Sequence, residues 1–268
     1  MNNPLVSIVV NNYNNEKYLS SCLDSLIAQT YKNIEIVVVD ALSTDKSREL
    51  IREYADREKR IKTVFTDSYE KYPANTYNLG FLNCSGNFIA INDPDDLSNS
   101  TRIEKQLNYL LKYPNIGVVG SNVIVFNDDI ERVDITSVNK NINTASPPAR
   151  NPTLMFRKSI MAKHGMWRWQ NEYAADFEWL YRWYSSGVNF FIIQEPLVRY
   201  RYSHGTNLSV RFAISQNIKL AKFRLYFGCK LFKQTSFLWW KNTFLTYCYI
   251  VSLIIKKKIK KFYKEDFK

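Results

Sequence analysis

Three carboxylates crowd one short stretch of this 268-residue chain. In INDPDD, residues 91–96, Asp93, Asp95 and Asp96 follow an apolar run, with Pro94 between the first two. Like charges this close raise one another's pKa unless something positive sits among them. The residues leave two readings open. One is a solvated turn, since Asp and Pro are common turn residues. The other is a divalent cation held by oxygen ligands. A fourth acid, Asp40, closes the run IEIVVVD. It either caps a following helix or faces the same ligand.

The elements that must position these acids alternate through the first hundred residues. LVSIVV (5–10), IEIVVVD (34–40), IKTVF (61–65) and NFIAIN (87–92) are short apolar runs that read as strands. Between them, Leu19, Cys22, Leu23, Leu26 and Ile27 fall on one helical face. A second helix is expected from about Ser43, with Leu50, Ile51, Tyr54 and Ala55 inward, and a third over 74–84. Strands this continuously apolar, separated by helices, predict a parallel sheet covered on both faces. Ligands of such sheets bind beyond the carboxyl ends of the strands. That rule selects Asn11, Asn12 and Tyr13, then Asp40, then Asp93 to Asp96, as one convergent edge. A helix from about Thr101 (Ile103, Leu107, Leu110, Leu111) and a strand over 116–126 follow. Residues 127–150 are polar, contain Pro147 and Pro148, and read as a loop.

Length and composition suit one large α/β domain, or one domain with an appendage. Cys22, Cys84, Cys229 and Cys248 are widely spaced and form no CxxC pair, so neither a disulfide framework nor a zinc site is expected. The opening MNNPLVSIVV lacks the basic segment and long apolar run of a signal peptide, which favours the cytoplasm. The net charge of +12 is concentrated at one end: fourteen Lys or Arg against two acids from Arg211 onward leave residues 1–210 neutral. A neutral body with a basic tail implies one localised anionic partner.

Four motifs, in order, resemble the family 2 glycosyltransferases. They are VSIVVNNYNNEKYLSSCLDSLIAQTYKNIEIVVVDALSTDKS, NLGFLNCSGNFIAINDPDD, YAADFEWLYRW and PLVRYRYSHGTNLS, which together span about residues 5–210. The resemblance implies an α/β protein of GT-A fold, with a Rossmann-like, mostly parallel central sheet flanked by helices. It divides the domain into a nucleotide-sugar-binding half, 1–100, and an acceptor and catalytic-base half, 101–210. Three departures stand out: Asn11-Asn12 for Pro-Thr, Ala41 for a second Asp, and Ala175 for the Glu preceding the base.

By the same resemblance the substrate is a nucleoside diphosphate sugar, UDP- or dTDP-linked, and the cofactor is Mn²⁺ or Mg²⁺. Asp95 is the leading metal ligand, and Asp93 contacts the ribose or the metal shell. Asp40 resembles the acceptor of a pyrimidine N3–H, while Asn12, Tyr13, Asn78 and Arg201 line the donor. His204 is a further candidate metal ligand. Asp176 is the expected base, since an inverting transfer needs a carboxylate to take the acceptor hydroxyl's proton. It precedes a helix whose Trp179, Leu180 and Trp183 can pack inward. Glu178 is its local competitor. Trp167 and Trp169 either line an acceptor subsite or simply pack, and His164 has no motif behind it.

Residues 211–268 read as a helical, aromatic-rich, basic tail. Its uncharged part, 242–255, is shorter than the roughly 20 residues of a spanning helix. An interfacial helix at the inner face of the plasma membrane, with lysines on anionic head groups, fits it better. The acceptor expected there is a lipid-linked or growing glycan. Two alternatives remain: a sugar nucleotidyltransferase, disfavoured because no Gly-rich basic loop follows the first strand, and a membrane-tethered protein without activity. A nucleic-acid partner is not expected, since the tail has no recognition fold beside it.

Overall fold

The structure, a computed structural model, describes residues 3–67, 73–127, 130–134, 149–168 and 175–202. The basic tail, His204 and Trp169 lie outside them.

The four apolar runs form strands β1 (Val6–Asn12), β2 (Ile34–Asp40), β3 (Ile61–Phe65) and β4 (Phe88–Asn92). They pair in parallel in the order β3-β2-β1-β4. Alternate residues of each strand face opposite sides, as the two-residue repeat requires. Val6, Ile8, Val10, Ile36 and Val38 pack under α1 (Glu16–Ile27), α2 (Ser47–Arg57) and α4 (Arg102–Lys112). Val9, Val37, Val39, Ile89 and Ile91 pack on the other side under α3 (Pro73–Leu82) and α6 (Ala175–Ser185). Helix α3 comes so close that a Cβ on Gly80 would sit 2.6 Å from Val9 Cγ1, so only glycine fits there.

The second half extends the sheet and mixes its directions. Strand β8 (Met155–Arg157) inserts antiparallel between β4 and β6 (Ile116–Phe126). Beyond them β9 (Asn189–Arg201) runs parallel to β6. Strands β5 (Leu97–Ser98) and β7 (Glu131–Asp134) pair antiparallel with β9 and β6. Six of the nine strands among the described residues therefore share one direction, which bears out the mostly parallel expectation. Helix α5 (Lys158–His164) follows β8 directly.

Three local expectations are corrected. Helix α2 begins at Ser47, not near Ser43, because the Asp40 carboxylate accepts bonds from both the Ser43 amide and its hydroxyl. Leu42 between them takes φ 60°, which no helix allows. Leu111 is 42% exposed; the inward positions of α4 go to Arg102, Ile103, Gln106, Leu107 and Leu110. Within the expected loop 127–150, residues 131–134 form β7.

Candidate active site

The three carboxylates leave β4 on a tight turn, in which the Asp96 amide donates to the Asp93 carbonyl at 3.2 Å. Asn92 holds this turn from below, its side-chain amide donating to the Asp93 carbonyl at 2.8 Å and the Asp96 carbonyl at 3.3 Å. Beneath Asn92 lies Arg102, a fully buried guanidinium. It donates to Asn92 Oδ1, Ser98 Oγ, Gln106 Oε1 and the Ile91 carbonyl, at 2.7 to 3.1 Å. Burial pushes its pKa down to about 10, against the pull of Asp96 and Asp93. The cation thus supports the acid turn through its field without pairing directly with any of the three acids.

Burial and the charge of Asp95 push the Asp93 carboxyl up to about 7, and Asp176 adds to the rise. Asp95 is raised by burial, with Arg201 opposing. Asp96 is fully buried and raised well above the ordinary range by burial, then by Asp93 and Asp95. Its Oδ1 accepts from the Arg201 amide at 2.7 Å, while its Oδ2 is buried without a hydrogen-bond partner. Carboxyls raised together in this way hold protons more readily than free ones, so full ionisation of the turn calls for a cation beside it.

Asp176 stands in the first turn of α6, where the helix dipole favours a carboxylate, and its charge is felt at Asp93. Glu178, two residues on, points elsewhere. It is 1% exposed, and Arg182 Nε donates to its Oε1 at 2.7 Å. A carboxylate sealed in an ion pair cannot meet an acceptor hydroxyl, which argues against Glu178 as the base; Asp176 is half-buried. Trp179, Leu180 and Trp183 are fully buried and anchor the helix, as their spacing predicted. Trp167 joins them in the core, 5.6 Å from Trp179 between ring centroids, and does not line a subsite.

The loops after β1 and β2 are laced together. Asn14 Oδ1 accepts from the Thr44 amide at 2.8 Å, Ser43 Oγ accepts from the Asn14 amide at 2.9 Å, and Asp45 accepts from the Glu16 amide at 3.0 Å. Asp40 is the centre of this lacing. Its buried carboxylate accepts from Asn12 Nδ2 (2.9 Å), Ser43 N (3.0 Å), Ser43 Oγ (2.6 Å) and Arg48 Nε (2.6 Å), about the full capacity of an ionised carboxylate. Asn12 is likewise buried, and its Oδ1 has no partner. Tyr13, just beyond, is 42% exposed at the same edge.

Arg201 arrives from β9. Because Leu97 pairs with Arg199 in antiparallel register, the strands bring Arg201 beside Asp95. Its Nε donates to the Asp95 carbonyl at 3.0 Å, and its guanidinium lies between the rings of Tyr18 (4.3 Å) and Phe126 (4.5 Å). Its two terminal nitrogens make no hydrogen bond to a described residue. Asn78, by contrast, does not face the acid turn with its amide: Nδ2 donates to the Trp167 carbonyl at 2.8 Å and Oδ1 accepts from the Trp167 amide at 3.1 Å.

Sequence reasoning missed Arg102 and Tyr77, whose hydroxyl donates to Asp93 Oδ1 at 2.6 Å. Arg102 had a signal: with Gln106 it shares the helical face of Ile103, Leu107 and Leu110. Among the described residues no three His, Cys, Asp or Glu side chains converge as a ready-made metal cage. Asp93 and Asp95, both partly accessible on the turn, are nevertheless hard oxygen donors whose ionised form a cation would favour. Mg²⁺-type ions use one or two carboxylates and complete their shell with water and substrate phosphates. The residues fit such an ion.

Residues 7–175 match the sequence profile described as Glycosyl transferase family 2. An uncharacterized glycosyltransferase of Haemophilus influenzae is 41% identical over 112 residues, 42% of this chain and 44% of that protein. The UDP-Glc:α-D-GlcNAc-diphosphoundecaprenol β-1,3-glucosyltransferase WfgD of Escherichia coli is 36% identical over 131 residues, 47% of this chain and 51% of WfgD. The matched stretch thus takes in about half of either relative. Among solved structures, S. aureus TarS 1-349 in complex with UDP-GlcNAc superimposes with a TM-score of 0.68 at 16% identity, over 82% of this chain and 65% of TarS 1-349. The mannosyltransferase PcManGT of Pyrobaculum calidifontis, in complex with GDP-Man and Mn²⁺, gives 0.63 at 18% identity, over 92% and 70%. These likenesses show the GT-A fold. On the profile match across most of the described domain, the chain belongs to family 2 of the glycosyltransferases.

Proposed function

We propose that this protein transfers a sugar, with inversion, from a UDP- or dTDP-linked donor to a hydroxyl of a lipid-linked or growing surface glycan. The observation that carries the reading is the meeting of two separate acidic segments. The Asp93–Asp96 turn beyond β4 and Asp176 at the start of α6 lie within each other's field. A glycosyl transfer needs this division of labour, one acidic group for the departing diphosphate's counter-ion and another for the attacking hydroxyl. The names of WfgD and of the TarS complex, with UDP-Glc and UDP-GlcNAc, support a uridine nucleotide.

In this reading Asp95 and Asp93 hold the divalent cation. When bound, such an ion neutralises the charge that develops on the leaving diphosphate. Arg201, fixed between two aromatic rings, offers its terminal nitrogens to phosphate oxygens. Asp40 sets the floor of the base pocket. For a pyrimidine N3–H to reach its carboxylate, the base displaces Arg48, the most exposed of that carboxylate's side-chain partners. Asn12 and Tyr13 border that pocket, while Asn78 stays in the donor set on sequence grounds alone, its amide being held by the Trp167 backbone. Asp176 takes the proton of the acceptor hydroxyl as its oxygen attacks the anomeric carbon. His204, in the remaining motif, belongs to the proposed metal set on sequence grounds alone. The tail, residues 211–268, holds the enzyme to an anionic membrane surface, where a lipid-linked acceptor would lie.

A thermal-shift screen of nucleoside diphosphates and their sugars, with and without Mn²⁺, tests this. A ligand at one hundred times its Kd stabilises the native state by about 2.7 kcal/mol. UDP or dTDP with Mn²⁺ is expected to raise Tm most, and Asp95→Asn to remove the metal-dependent part. A chain that responds to no nucleotide in either condition refutes the proposal.

A further inference from the structure

Helix α3 touches both halves of the site through adjacent residues. Tyr77 donates its hydroxyl to Asp93 Oδ1 at 2.6 Å. Its neighbour Asn78 clamps the backbone of Trp167 from both ends of its amide. The Tyr77 ring lies 4.5 Å from that of Trp167, which contacts Trp179, one helical turn beyond Asp176. Tyr77 is 5% exposed, so its ring is part of the core and offers no stacking platform for a sugar or base. Only its hydroxyl reaches the acid turn, where Asp93 Oδ2 makes no hydrogen bond to a described residue.

We propose that Tyr77 is a positioning residue for the donor's cation: its hydroxyl pins Asp93 by Oδ1 and so presents Oδ2 to the metal. The proposal rests on the reading of Asp93 and Asp95 as the metal pair. A carboxylate on a turn can rotate about its terminal torsion, which is broad and roughly two-fold. A donor on one oxygen removes that freedom, and partners of this kind orient metal ligands at a worth of about 10- to 100-fold in affinity. The tilted packing of its ring on Trp167, in the core, holds the donor in place. Aromatic packing thus sets the direction of a carboxylate in the polar site.

Tyr77→Phe isolates the effect, because it keeps the ring and its packing and deletes only the donor. Mn²⁺ uptake by the full chain is titrated calorimetrically in the presence of excess UDP, and separately of GDP, beside Asp95→Asn. The Mn²⁺ dissociation constant of Tyr77→Phe is expected to rise by about tenfold or more, with metal-free UDP binding unchanged. A purely structural role would lower Tm without moving the metal constant. An unaltered constant in Tyr77→Phe, alongside its loss in Asp95→Asn, overturns the role of Tyr77 and leaves the metal pair standing. A wild-type chain that takes up Mn²⁺ with neither nucleotide overturns both.

Discussion

Asp176 and Glu178 are two residues apart on one helix, yet they cannot share a task. Glu178 is turned into the core against Arg182, whereas the charge of Asp176 is felt at Asp93. Asp176→Asn is therefore expected to lower turnover by about 10² to 10⁴-fold while nucleotide binding stays intact. Glu178→Gln should instead break a buried ion pair at a cost of about 3 kcal/mol, with little change in rate per folded molecule. Donor consumption under single-turnover conditions, beside thermal melts of both variants, checks the contrast. A normal rate in Asp176→Asn would exclude it as the base. The same residue-by-residue division separates Asp93 and Asp95, which are partly accessible, from Asp96, which is sealed. Asp96 serves the turn by receiving the Arg201 amide.

At the scale of elements, each functional loop is held by a polar device set just outside a hydrophobic face. Asp40 laces the loops after β1 and β2, and Arg102 of α4 underpins the turn after β4. The opposite end of the sheet has its own device in Glu35 of β2. It accepts from Ser7 of β1 and from the amides of Ser85 and Gly86 at the entry to β4, and pairs with Lys62 of β3 at 2.6 Å. Burial pushes its pKa up, but the bonds from Lys62, Ser7 and Ser85 outweigh this and hold it below the ordinary 4.5. A depressed carboxylate stabilises the fold fully above its unfolded pKa, and that contribution is lost as pH falls through the folded value. Glu35→Gln should thus cost about 2 kcal/mol at pH 7 and progressively less below pH 4.5. Urea melts of both proteins from pH 7 to 3 measure the gap. A gap that stays constant with pH would mean that Glu35 acts by shape alone.

The whole molecule divides its charge sharply: residues 1–210 sum to zero and the remainder carries the entire +12. No helix among the described residues is long and apolar enough to cross a membrane. Any membrane attachment by the described domain therefore needs a means other than a spanning helix there, and the proposed means is the charged tail. Basic residues near an anionic surface contribute about 1 kcal/mol each, screened by salt. The full chain should bind vesicles containing phosphatidylserine and leave them at high salt, whereas a chain ending at Ser209 should stay in the supernatant. Sedimentation of the two with such vesicles decides this, and equal partitioning would sink the anchor.

The sequence by itself determined where the strands end, because apolar runs closed by polar residues follow from burial on both faces of a parallel sheet. It thereby marked Asp40, the Asp93–Asp96 turn and the edge on which they converge, and the helical spacing of Trp179, Leu180 and Trp183 oriented the helix that carries Asp176. Only the tertiary structure decided which polar atoms are already occupied. Asp40 and Asn78 looked available to a donor, yet one carboxylate is filled by Asn12, Ser43 and Arg48 and one amide by Trp167. Arg102 and Tyr77 bear on the acid turn from helices on opposite faces of the sheet. Hydrogen-bond saturation depends on partners distant in sequence, and spacing along the chain carries no record of them. That is why the acids were legible as letters, and their surroundings only as a fold.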